Sequence, residues 1–544
     1  MKKNFSHIER KNILTGLENE HYDVIIIGGG ITGMGIALDC TTRGLKTLLV
    51  EMQDFAAGTS SRSTKLVHGG LRYLKQFELK MVSDVGKERA IVYENAPHIT
   101  HPQWMLLPIY KKGTFGKYST SIGLKIYDFL AGVKREEKRR MLSRKEVLRR
   151  EPLLAKKGLI GGGEYVEYST DDARLTIEVA KKAYEYGADL LNYAKVEQFE
   201  YDANGKVAGV HLLDEITEQR YLATGNMFVN AAGPWVERVI NLDEEVPGKS
   251  LLLTKGVHIV LDRKKLPLNQ PIYFDTPDGR MVFAIPRNGK TYVGTTDTIY
   301  EGNLEHPKTT DEDKEYLLRC IRTMFPETAI EIENIESTWA GIRPLIHEDG
   351  KGPSEISRKD EVWTSKTGLI TIAGGKLTGY RKMAETVTDL LISKLDKKDV
   401  DSQTKKLKLS GGDFWDSNDY PKFIETKSMK LSALGMSKED GDSIAAIYGT
   451  NTDAIIDLEK ELLIELDLPL PIKLTLHYAI QFEMAMTPAD YFARRTGAIY
   501  FDKTWVRTWK QPVIDYMDRL FNWSPERKKL MTEELESHIQ EANR

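Results

Sequence analysis

The sequence predicts an α/β (α+β) fold class, and three observations carry that prediction. A βαβ pattern opens the chain at residues 23–50, and strand and helix patterns resume together at 172–235. From residue 411 onward the pattern is helical and charged. Long alternation of short strands with helices is the signature of a parallel sheet covered by helices.

The first unit is the most informative. Residues 23–27 read DVIII, a β-branched run suited to a buried parallel strand. Gly28, Gly30 and Gly33 then form G-x-G-x-x-G, residues 31–43 have a helical pattern, and Gly44 is a natural stop. A second apolar run, 47–50, ends at Glu51, eighteen residues after Gly33. This is the context a dinucleotide fingerprint requires. Gly28 makes the tight turn, Gly30 lets backbone approach a pyrophosphate, and Gly33 lets helix and strand pack closely. The helix N-terminus offers N–H groups and partial positive charge to phosphate. Glu51 can accept from both ribose hydroxyls and would repel a 2′-phosphate, so FAD or NAD is favoured over NADP. A membrane-spanning reading of residues 22–40 fits less well, because a glycine triplet and Asp39 interrupt it.

The second α/β stretch has a helix at 172–186 and strand-like runs at 188–193, 195–201 and 207–213. Another strand, 226–230, runs into the small-residue turn Ala231-Ala232-Gly233-Pro234-Trp235, where backbone can approach a ligand closely. Together with the position of the βαβ unit at the chain start, this favours FAD over NAD. Composition limits the rest. A net charge of −3 argues against a nucleic-acid binder, and two cysteines without CxxC spacing argue against a metal site. The first sixteen residues are polar, unlike a secretory signal, and no transmembrane helix is expected.

Between Ala57 and Leu74 the chain reads AGTSSRSTKLVHGGLRYL, rich in hydroxyls and cations that bind anions and polar ring edges. With this segment the chain resembles the aerobic, FAD-dependent sn-glycerol-3-phosphate dehydrogenase family, the quinone-linked one. The motifs that carry the resemblance are GGGITGMG at 28–35, TSSRSTKLVHGGLRYL at 59–74, YSTDDARL at 168–175, NAAGPWV at 230–236 and KGVHIV at 255–260. They continue, in the family's order, with IPRNGKTYVGTTD at 285–297, AGIRPL at 340–345 and AGGKLTGYRKMAE at 373–385.

The resemblance implies a glutathione-reductase-type FAD-binding Rossmann domain, an antiparallel-sheet substrate or cap domain, and a helical C-terminal domain. Residues 1–100, about 155–235 and 340–395 are assigned to the first, about 101–154 and 236–339 to the second, and 411–544 to the third. FAD would be held by Gly28, Gly30, Gly33 and Glu51 on the ADP half. Thr59, Ser60, Ser63, Thr64 and Leu66 would run along the ribityl and flavin side. Val196 would offer backbone to adenine, Gly233 and Gly375 would permit close approach, and Lys376, Leu377 and Thr378 would begin a helix aimed at the flavin.

The substrate implied is sn-glycerol 3-phosphate, oxidised to dihydroxyacetone phosphate by hydride transfer from C2 to flavin N5. A phosphate monoester needs forked donors, and Arg72, Tyr73, Arg343, Arg358 and Lys376 supply cations and a hydroxyl within family-like motifs. His258 is the first candidate for the C2 hydroxyl proton and Arg343 for the developing alkoxide, with the division of roles between them open. Thr295, Thr296 and Asp297 also border the flavin on this reading, and no metal is expected.

Residues 111–150 hold 13 Lys or Arg against 4 Asp or Glu, with interspersed aromatic and apolar residues. Such a segment suits an anionic membrane surface, and the resemblance adds a membrane quinone as electron acceptor. The expected location is cytoplasmic and peripheral on the inner face of the plasma membrane, with a homodimer as an open assembly state. Alternatives are an FAD oxidase of glycerol 3-phosphate using oxygen, an FAD enzyme of amino or 2-hydroxy acids, and a nucleotide-binding scaffold without catalysis. The oxidase branch has an additional central block, for which the 30 residues between Arg343 and Gly374 leave no room. The number of cations favours phosphate over carboxylate, and the presence of His258 beside those cations ranks the scaffold last.

Overall fold

A computed structural model describes residues 4–68, 79–111, 113, 123–126, 137–243, 249–276, 278–348, 360–374, 376–398, 400–414, 419–462 and 467–543. Two sheets organise it. The first has eight strands, with His21–Ile27 at the centre. Val24, Ile25 and Ile26 are fully buried because the strand has parallel partners on both sides, Thr47–Val50 and Arg220–Asn230. Asp189–Leu191 extends the sheet beyond Thr47–Val50, and Ile370–Ala373 with Glu361–Thr364 extends it beyond Arg220–Asn230. An antiparallel pair, Ala194–Tyr201 and Val207–Asp214, attaches along Arg220–Thr224. That pairing starts the strand six residues before the apolar run that marks it in the sequence.

The helix Ile31–Thr42 packs on this sheet and against Asp172–Glu185 and Tyr380–Lys394. It is buried nearly all round, which explains why its sequence is apolar on every face. Gly44, with φ of 81°, closes it in the left-handed region where glycine is least strained.

The second sheet has ten strands and is mostly antiparallel. Its longest pairing joins Lys249–Asp262 to Ile335–Glu348, with Thr254 opposite Arg343, Gly256 opposite Gly341 and His258 opposite Trp339. Strand alternation divides the faces. Val257, Ile259 and Leu261 enter a core with the helix Asp311–Met324, while Val260 and Trp339 enter another with Leu66, Tyr165 and Tyr292. His258 and Arg343 therefore stand on the face away from that helix. Strands Leu66–Val67 and Leu159–Ser169, and the part of Ile335–Glu348 from residue 340 on, belong to this second sheet although they come from segments assigned above to the cofactor domain. The two sheets interleave along the chain.

The described residues of 420–543 are mostly helical and carry two apolar cores of their own. Buried ions dock them to the rest. Asp54 is fully buried and accepts from Arg494 Nε at 2.5 Å and from Arg495 Nη1 at 2.7 Å. Arg174 donates to Glu483 at 2.6 Å. Among the described residues no helix is long and apolar enough to cross a membrane.

Candidate active site

The glycine turn behaves as its spacing requires. Gly28 has φ of 116°, and a Cβ there would lie 2.5 Å from the Ala231 carbonyl oxygen. A Cβ on Gly33 would fall on the Gly28 carbonyl oxygen, so any larger residue would separate helix from strand. Ile31 N–H, at the helix start, donates to Ser60 Oγ at 2.9 Å, which places Ser60 directly over the turn. Glu51 stands at the end of the next strand. Its carboxylate accepts from Gly29 N–H at 2.6 Å and Gln53 N–H at 2.9 Å, while burial pushes its pKa up.

A cavity of about 860 Å³ opens beside this turn, within the usual size of a cofactor site. Gly28, Glu51, Val196 and Trp235 line it. Gly233 has φ of 56° and open space where a Cβ would point. Trp235 Nε1 is buried without a hydrogen-bond partner among the described residues, a donor available to a ligand. Helix N-terminal amides, a carboxylate fixed for hydroxyl groups and an orphaned indole donor form a donor set that fits a dinucleotide.

The segment 59–66 leads from the turn to the second sheet. Thr59 Oγ1 donates to Ile342 O at 2.6 Å, and a Cβ on Gly341 would collide with the Arg62 carbonyl. Ser63 N–H donates to Asp172 at 2.9 Å, and its carbonyl accepts from Trp339 Nε1 at 3.1 Å. Thr64 Oγ1 lies 3.0 Å from His258 Nε2, and Leu66 is buried in the strand that follows. The hydroxyl-rich segment is thus a seam between the nucleotide cavity and the second sheet.

On that sheet His258 is 1% exposed and stacks on Trp339 with centroids 4.7 Å apart and planes 11° off parallel. Its Nδ1 has no partner among the described residues. Burial, and then the positive charges of Arg343 and Lys65, hold its pKa well below the ordinary histidine value, so the ring is neutral at physiological pH. Arg343 is one-third exposed. It donates to Thr295 Oγ1 at 2.9 Å and Thr296 O at 3.3 Å, and lies 3.5 Å from Asp297. Gly256 and Gly294 leave the room: a Cβ on Gly256 would strike the Arg343 guanidinium, and one on Gly294 would strike the His258 ring. The arrangement sets a neutral imidazole and a permanent cation on one face, as an acid–base pair for a hydroxyl would need.

Lys376 precedes the short turn Leu377–Gly379, where Thr378 Oγ1 donates to His68 O at 3.1 Å. Burial and then the Lys376 charge depress the His68 pKa to about 4, which puts Lys376 close to the end of the hydroxyl-rich segment. Arg72, Tyr73, Arg358 and Gly375 lie outside the described residues, as do 112, 114–122 and 127–136 of the basic segment. Two features escape sequence reasoning. Trp339 under His258 depends on strand register across 81 positions, and Thr487, Arg527, Met531 and Glu534 join the cavity lining from the C-terminal helices.

Residues 23–381 match the family described as FAD dependent oxidoreductase, and residues 402–528 match the C-terminal domain of alpha-glycerophosphate oxidase. The chain is 55% identical over 549 residues to the aerobic glycerol-3-phosphate dehydrogenase of Bacillus subtilis (strain 168), covering 100% of this chain and 99% of that one. It is 54% identical over 544 residues to the enzyme of the same name from Staphylococcus aureus (strain MRSA252), covering 99% and 98%. The solved glycerol-3-phosphate dehydrogenase from Bacillus halodurans, complexed with FAD, is similar with a TM-score of 0.87 and 44% identity over 99% of each chain.

Proposed function

The chain belongs to the FAD-dependent glycerol-3-phosphate dehydrogenases, and from that premise we propose that it oxidises sn-glycerol 3-phosphate at C2 to dihydroxyacetone phosphate and passes the electrons to a membrane quinone. Gly28, Gly30, Gly33, Glu51, Ser60, Val196 and Gly233 are the residues that would hold FAD. When bound, its isoalloxazine supplies the two-electron acceptor. The protein's own task is to fix C2 and to manage one proton.

The single observation that carries this reading of the reaction is the pairing of His258 and Arg343 on one face of adjoining strands, four residues from matching rungs. Arg343, braced by Thr295 and Asp297, binds the C2 oxygen and stabilises negative charge developing there. His258 accepts the hydroxyl proton. Its depressed pKa keeps the lone pair free, and the Trp339 stack and Thr64 hydrogen bond fix the ring plane. Lys376, Arg72 and Arg358 take the phosphate, with Tyr73 as a further donor. The basic segment 111–150 supports docking on an anionic membrane surface, where a quinone is reached.

The test is an anaerobic titration of the yellow protein. Bleaching of the flavin band by sn-glycerol 3-phosphate, and not by its mirror-image isomer, lactate or an amino acid, is the expected result. Bleaching by another of these would overturn the substrate. The match of the C-terminal residues to an oxidase domain is the one observation favouring oxygen as acceptor. Reoxidation of the bleached protein by a soluble quinone analogue far faster than by oxygen is expected, and the reverse order would make it an oxidase.

A further inference from the structure

Part of the wall of the nucleotide cavity comes from the far end of the chain. Arg527, Met531 and Glu534 line it from the helix Pro525–Asn543, at spacings of four and three that set them on one helix face. The helix is held from both sides. Leu535 is fully buried in the C-terminal core, and Glu541 pairs with His306 at 2.6 Å on the loop whose Glu305 also borders the cavity. Thr487 reaches the cavity from the turn after the helix Leu470–Phe482, which Asp490 fixes by accepting from Met486 N–H at 2.7 Å, Thr487 N–H at 3.0 Å and Tyr193 OH at 2.7 Å.

A seam between two parts of a chain normally pairs the charges it buries. This one pairs Asp54, Arg494 and Arg495, whereas among the described residues the Glu534 carboxyl has no hydrogen bond or close ion pair and only feels the charges of Asp490, Arg494 and the half-buried Arg527. Arg527 and Glu534 both border the cavity. Burial pushes the Glu534 carboxyl up to about 7, so near neutral pH it can accept or donate a hydrogen bond.

We propose that this helix face is part of the FAD site, with Arg527, Met531 and Glu534 holding the adenosine half of the cofactor. The inference rests on the flavoenzyme reading. Arg527 supplies forked donors, Glu534 meets hydroxyl or amino groups, and Met531 gives the adenine plane an adaptable apolar surface. The C-terminal helices thereby act as a clasp that retains the cofactor.

The experiment uses the full chain stripped of flavin, titrated with FAD and with FMN, which lacks the adenosine, while flavin fluorescence is followed. Arg527→Ala is expected to weaken FAD by about tenfold and Glu534→Gln by about fivefold, the usual scale for one lost charge-assisted hydrogen bond. FMN binding is expected to stay at the parent's value. FAD affinity within twofold of the parent in both variants would overturn the proposal. A parent chain that binds neither flavin would instead sink the flavoenzyme reading. If Arg527→Ala loses FMN as well, its fold is disturbed and the isosteric Glu534→Gln decides alone.

Discussion

The two ends of the cofactor path are built in opposite ways. The nucleotide end has a local nucleus: a turn, a helix start and Glu51 arise within about thirty residues, and more distant segments only complete the cavity wall around it. The reaction end is assembled at long range. His258, Trp339 and Arg343 come from two strands about eighty residues apart, and Thr64 reaches them from a third place in the chain. A site with a local nucleus keeps its turn whatever the register elsewhere and depends on docking only for its outer wall, whereas a site assembled wholly at long range depends on register. Damage at the nucleotide end should therefore appear as lost stability and lost cofactor, and damage at the reaction end as lost rate with the cofactor still in place.

The largest effect should come where the C-terminal helices are tied to the loop after Glu51. Asp54→Ala removes the carboxylate shared by two buried guanidiniums, leaving Arg494 only Asp490 and Arg495 only Glu483, and should cost about 3–5 kcal/mol of unfolding free energy together with FAD retention. The arginines hold the Asp54 pKa near 2, below its ordinary value. A depressed carboxylate stabilises the fold above its unfolded pKa, so this contribution should be lost as pH falls from about 4 through 2. Denaturant titration at neutral and acid pH checks both statements.

Arg343→Ala sharpens the contrast from the other end. It should lower kcat/KM by about 10³-fold with the flavin spectrum and Tm unchanged, since it removes charge stabilisation and no buried packing. A parallel loss of bound FAD would erase the distinction between the two ends. Gly256→Ala should act through the same guanidinium, lowering kcat/KM about 10²-fold, because the new methyl occupies its place.

Glu534→Gln is smaller. A carboxyl raised to about 7 is stabilising below its unfolded pKa and costly as pH rises through the folded value. The full shift corresponds to about 3 kcal/mol, and solvent screening at this partly exposed group reduces it, so the flavin-free variant should be more stable than the parent by about 2 kcal/mol at pH 8 and equal to it near pH 4, by thermal unfolding. The smallest effect belongs to His306, whose pKa is raised by its hydrogen bond to Glu541. His306→Gln should cost about 0.5 kcal/mol at pH 6, and the difference should vanish as pH rises through the folded pKa and the parent's ring loses its charge.

Much of this was legible in the residues. Gly28, Gly33 and Glu51 could be read because turn, helix packing and strand end follow from spacing within one unit. Ser60 and Thr64 could be read as a polar segment near the cofactor, but not as the seam joining two sheets. The strand Leu159–Ser169 could not be assigned to the second sheet, because a run of residues does not reveal which edge it pairs with. Arg527 and Glu534 were hidden for a related reason. On a charged, partly exposed helix they resemble solvated side chains, and only the docking of that helix turns them toward a cavity.

By itself the sequence determined the dinucleotide turn, the α/β class, the helical end and the family. The family rests on the resemblance of its motifs, and the other three on periodicity and spacing over short distances, where local sterics and hydrogen bonding decide the backbone. Tertiary structure alone decided that His258 lies on Trp339 beside Arg343, and that a C-terminal helix walls the nucleotide cavity. Those contacts depend on strand register and domain docking, which are set by the burial of whole faces rather than by any one stretch of residues.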